Sequence, residues 1–146
     1  MKRLTSNRAD RGQALVEFSL AIVIFLVLLM GVVDFGRAIY QYNGVSQAAR
    51  EIARVTAVHP GSDFRTDAGR SSETKAVIAT QSGLIPNLQA PTIKCVEVDG
   101  TEIAGHCREG QWIQVRISAP YTPITPLLGL AGTWDLFSSS TSVQLQ

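Results

Sequence analysis

Gly12 and Glu17 stand five positions apart, at the mouth of a run in which nothing is charged: residues 18–33 read FSLAIVIFLVLLMGVV. This pair suits a chemistry that no other part of the chain offers. If the peptide bond after Gly12 is hydrolysed, the amino group released on Gln13 lies about one helical turn from Glu17. Ammonium and carboxylate would then neutralise each other, within one molecule or between stacked neighbours, and fix an axial register. Gly12 suits a peptidase, because a residue without a side chain lets the backbone open locally. The plainer reading is that Glu17 reaches for the aqueous surface from the edge of an apolar layer. A charge there costs less than the ~2.5–3.5 kcal/mol of the bilayer centre.

The element that must position this pair is a helix. Residues 14–33 make twenty positions, which span about 30 Å as a helix and match the hydrocarbon thickness of a bilayer. A buried core helix is the other possibility, but one apolar on every face needs more than the roughly 110 residues that follow to wrap it. A cleaved secretory signal would end in a small-x-small pattern, whereas this run ends in GVVDFGRAIY, with Asp34 and bulky residues at that place. Residues 1–12 hold Lys2, Arg3, Arg8 and Arg11 against Asp10, a net +3 in a chain whose total is +1. By the positive-inside rule this basic leader stays in the cytoplasm and the part after Asp34 is exported, to the periplasm or beyond.

Helical spacing continues past the apolar run. Ile39, Val45, Ala48, Ala49, Ile52 and Val55 recur at intervals of three or four after the first gap, with Arg37, Gln41, Gln47, Arg50, Glu51 and Arg54 on the polar faces. Small residues (Ala38, Gly44, Ala48, Ala49, Ala53) allow close approach of another helix. His59-Pro60-Gly61 is a stop. One helix over residues 14–58 would be about 68 Å long. The expected organisation is a basic leader (1–12), a transmembrane part (13–35), an amphipathic stalk (36–59) and an exported head (60–146).

The head reads as α+β. A short helix over residues 71–82 has Val77, Ile78, Ala76 and Ala79 as its apolar side and Gly83 at its C-terminal cap. TIKCVEV (92–98) is rich in β-branched residues and Asp99-Gly100 marks a turn. QWIQVRIS (111–118) alternates, with Ile113, Val115 and Ile117 on one face. Pro120, Pro123 and Pro126 exclude a central strand after it, PLLGLAGTWDLF is an irregular apolar loop, and FSSSTSVQLQ closes the chain as a last strand. About three antiparallel strands therefore pack with the short helix on the stalk.

Cys95 and Cys107 both fall in the exported part, where oxidising conditions favour a disulfide clamping the first strand to the connection before the second. Two unpaired core cysteines are the alternative. A metal site from Cys95, His106 and Cys107 is weaker, since adjacent His and Cys ligate jointly with difficulty and no fourth ligand is evident. His59 lies at a helix end, and neither histidine has a nucleophile at a recognised spacing. GxSxG, HExxH and phosphate-cradling glycine loops are absent from the sequence. Ser138, Ser139 and Ser140 suit a polar strand face, and Trp112, Trp134 and Tyr121 suit core or rim packing. The expectation is a protein that is not an enzyme, with no cofactor, no small-molecule substrate and, given near-neutral charge, no nucleic-acid partner.

The glycine, four residues, Glu17 and the aromatic Phe18 resemble the type IV prepilin processing motif. RGQALVEF together with GVVDFGRAIYQYNGVSQAAREIAR resembles the TadE/TadG-like family, the minor pilins or pseudopilins of tight-adherence (Flp) pilus systems. The similarity covers residues 11 to about 54 closely and the head only in outline. It implies cleavage between Gly12 and Gln13 by a cytoplasm-facing aspartic prepilin peptidase, with Glu17 becoming the fifth residue of the mature chain. It also implies partners among the pilus or pseudopilin subunits, the inner-membrane assembly platform and the membrane. Phe18 replaces the tyrosine of the major Flp pilins and the chain is far longer than they are, which argues for a low-abundance component. The competing expectation is an unprocessed single-span envelope protein whose exported head binds another surface or secretion component.

Overall fold

The computed structural model describes residues 9–59, 61–103, 107–108, 110–125 and 138–144. Helix α1 runs unbroken over Ala9–Val58, 50 residues. It ends where the His-Pro-Gly stop places it and begins five residues before the expected start. Only Gly12 opposes helix there, at about 1 kcal/mol. Helix α2 covers Ser72–Leu84, its N-terminus capped by the Ser71 hydroxyl, which accepts from the Thr74 amide at 3.1 Å.

Three strands follow: β1 (Thr92–Val96), β2 (Trp112–Ser118) and β3 (Ser138–Gln144). They form one antiparallel sheet in the order β1-β2-β3, with Cys95 opposite Ile113 and Ile113 opposite Val143. Alternation turns Ile93 and Cys95 of β1, and Ile113, Val115 and Ile117 of β2, to the same buried face. That face meets Val45, Ala48, Ala49, Ile52, Ala53 and Ala57 of α1, with Phe64, Ile85 and Tyr121 closing the cluster. Four alanines in the α1 stripe bring the sheet close to the helix axis. The second half of α1 is thus one wall of the head's core.

Several local expectations need correction. Ile39, placed on the packing stripe by its hydrophobicity, is 45% exposed, and Ala38 packs against the core instead. Gly83 lies inside α2, and Ile85 terminates that helix in an extended conformation, buried in the core. Ala76 and Ala79 are exposed; the inner side of α2 is Thr74, with Val77 and Ile78 half-buried. Strand β1 ends at Val96, two residues early. The Asp99-Gly100 turn folds back there, with the Glu97 amide donating to Thr101 O at 2.9 Å and Gly100 at φ 87°. The disulfide joins Cys95, fully buried in β1, to Cys107 across a Cα separation of 5.7 Å. His106, Trp134 and the apolar loop 126–137 lie outside the described residues, and so does the leader before residue 9.

Candidate functional site

The first end of the apolar run is open to its surroundings. Residues 12–20 are all exposed, with Phe18 at 65%. Within this segment the Gln13 side-chain amide donates to the Glu17 carboxylate at 3.1 Å, across one turn of helix. The helix therefore places the Gln13 side chain beside the Glu17 carboxylate. A methyl group added at Gly12 would touch nothing within 4 Å. Nothing in the fold of this chain requires a glycine there, and a helix interior disfavours one.

The second end is the opposite, a densely bonded junction built on Asp34. The first charged residue after the run is 3% exposed. Its Oδ2 accepts from the Thr125 amide at 2.8 Å and, more closely, from the Thr125 hydroxyl. Its Oδ1 accepts from the Ile124 amide at 3.0 Å. The Tyr121 hydroxyl donates to the Asp34 main-chain oxygen at 2.8 Å, with the carboxylate 3.3 Å away. Arg37, one turn on, lies 3.4 Å from Oδ1 with its guanidinium 5.7 Å from the centre of the Tyr121 ring. Gln41, a further turn along, reaches Pro120 O at 3.5 Å. Burial pushes the Tyr121 phenol up from its ordinary value; the neighbouring Asp34 charge adds to this and Arg37 opposes it.

Local sequence explains why this junction forms. Positions 34, 38, 41, 45, 48 and 52 advance by four or three, so Asp34 and Gln41 share the helix stripe that carries the core alanines. Pro123 has no amide hydrogen to offer a strand ladder, and the amides of Ile124 and Thr125 after it turn to the carboxylate. A buried carboxylate needs such donors, because an isolated charge there would be prohibitive.

Sequence reasoning placed Gly12, Gln13, Glu17 and Phe18 together at one end of the helix, and the structure keeps them within two turns. The sequence marks Asp34 as the end of the apolar run and sets Arg37 on a polar face, and neither reading contains their role in holding the head. The available signal was a charged residue in phase with the packing stripe, followed far along the chain by a proline-broken segment. Tyr121 belongs to this junction and to the core at once, while Trp112 is half-buried at the start of β2. Arg70, whose side chain is 7% exposed, is a further residue that the sequence does not single out: it donates to Phe64 O and Pro91 O, both at 2.9 Å, tying the connector before α2 to the residue that leads into β1.

No curated protein and no solved structure matches this chain. The model of the TadE-like protein family matches residues 12–54, which contain Gly12, Glu17, Asp34 and the core-facing stripe of α1. Over residues 12–54 the chain is thus similar to the TadE-like family.

Proposed function

We propose that the chain is a minor pilin or pseudopilin of a tight-adherence pilus system. In this reading residues 13–35 cross the membrane, the leader stays in the cytoplasm and the head is exported. The match over residues 12–54 supports a place in such a system, and helix α1 is long and apolar enough to span a bilayer. A prepilin peptidase cuts between Gly12 and Gln13. Glu17 then pairs with the new amino terminus of a neighbouring subunit, and the exposed apolar helix packs among its counterparts on the assembly platform. The observation that carries this reading is the exposed Gln13–Glu17 contact beside a glycine that the fold does not need.

Intact mass and N-terminal sequencing of the full-length protein, made with and without its cognate prepilin peptidase, test the reading. A chain beginning at Gln13 only when the peptidase is present is expected. A leader retained in a competent host overturns it. One observation favours the second reading, an unprocessed envelope protein: α1 is continuous from Ala9 through Gly12, so the bond must leave the helix to be cut.

A further inference from the structure

We propose that the segment 121–125, held on Asp34, contacts the outer leaflet of the bilayer, with Ile124 seated among lipid and Arg37 and Tyr40 at headgroup level. The inference rests on the single-span reading above, and it concerns how the head stands on the membrane.

Height is the first argument. Asp34 is the first charged residue after the apolar run, so on that reading it marks the outer edge of the hydrocarbon. The amides of Ile124 and Thr125 are bonded to its carboxylate at 3.0 and 2.8 Å, which fixes this piece of the head at the same height.

Orientation is the second. Pro123 and Thr125 are buried and Ile124 between them is 70% exposed, so the alternation turns the isoleucine outward from the junction. A single exposed isoleucine is ordinary on a protein surface bathed in water. At the same height on the helix, Val32 and Phe35 are 71% and 67% exposed.

The third argument is the chemistry one to two turns above. The Arg37 side chain is 47% exposed although it also faces Asp34 and the Tyr121 ring, and Tyr40 is 83% exposed. An arginine and a tyrosine just outside an apolar layer suit the phosphate and interfacial zone of a bilayer.

A lipid surface fits this patch better than a protein does. One isoleucine flanked by two polar-tipped side chains falls far short of the ~1,000 Å² that a specific protein interface buries. A bilayer has no such requirement, because the span already holds the patch against it.

The test uses the full-length chain in vesicles of phosphatidylcholine and phosphatidylglycerol, spin-labelled at one position at a time through Ile124→Cys, Leu28→Cys or Val98→Cys. Cys95 and Cys107 are paired and leave no free thiol among the described residues. Leu28 reports the span, and Val98, 85% exposed in the turn after β1, reports water. Collision with dissolved oxygen and with a water-soluble nickel chelate is read by power saturation. The label at Ile124 should be several-fold less accessible to nickel than that at Val98, while remaining open to oxygen like that at Leu28. Equal nickel access at Ile124 and Val98, with Leu28 lipid-exposed, overturns this inference and leaves the span intact. Shielding of Ile124 from both reagents assigns the patch to a protein contact and also overturns it. Nickel access at Leu28 removes the span, and this inference with it.

Discussion

Tyr121 lets the junction be tested without removing its charge. The ring of Tyr121→Phe would still fill the core and face Arg37, but the bond to the Asp34 main-chain oxygen would be gone. One such bond is worth about 1 kcal/mol, so the head should melt at a modestly lower temperature at neutral pH. Asp34→Asn should destabilise more, because it replaces one acceptor oxygen with a donor facing amide hydrogens. The pH dependence has a definite sign. Burial raises the phenol's affinity for its proton in the folded state, so its favourable contribution is complete below the ordinary tyrosine value of about 10. That contribution is lost as pH rises through the interval above it. Thermal melts at neutral and alkaline pH should therefore show the wild type losing more stability than Tyr121→Phe on the alkaline side. Parallel pH profiles for the two proteins would remove the buried phenol from the account.

At the scale of elements, α1 changes surroundings near Asp34: exposed on every side over residues 12–30, and one wall of a core after it. Ile52 is fully buried against the sheet, and Ile52→Ala should cost the head about 2–5 kcal/mol in denaturant unfolding. Ile39→Ala on the exposed side should stay within about 0.5 kcal/mol; a comparable loss at both positions would contradict the assigned face. The 3–4 spacing made the helix legible, and the alternation of Ile113, Val115 and Ile117 made β2 and its inner face legible. Hydrophobicity alone could not choose the face of α1, because alanines and glycines recur around the stalk and only a docked sheet decides which are covered. Nor could it find the Asp34 junction, whose partners lie 87 to 91 residues away. The cysteine pairing was legible because the sequence holds two cysteines, Cys95 and Cys107. It closes a short loop, and reduction should lower head stability by about 3 kcal/mol on the chain-entropy account. Free thiols should appear in the unfolded, non-reduced protein only if that pairing is wrong.

Across the whole molecule, the proposed function gives the two ends of the apolar run separable tasks. Glu17 and Asp34 are seventeen residues apart, roughly 25 Å along the helix. Glu17 contacts Gln13 and Asp34 contacts the head, so the pair shares no partner. Sites so separated act additively. Glu17→Ala should leave membrane insertion and the head's melting temperature unchanged, yet reduce the amount of protein recovered in assembled pili. Tyr121→Phe should lower the melting temperature and leave leader removal unaffected, because the peptidase would meet only the exposed residues around Gly12. Combining the two should reproduce the sum of the separate effects on melting, and the assembly defect should follow the Glu17 change. A wild-type level of incorporation for Glu17→Ala would count against charge pairing as the device that sets register, while leaving the Asp34 junction untouched.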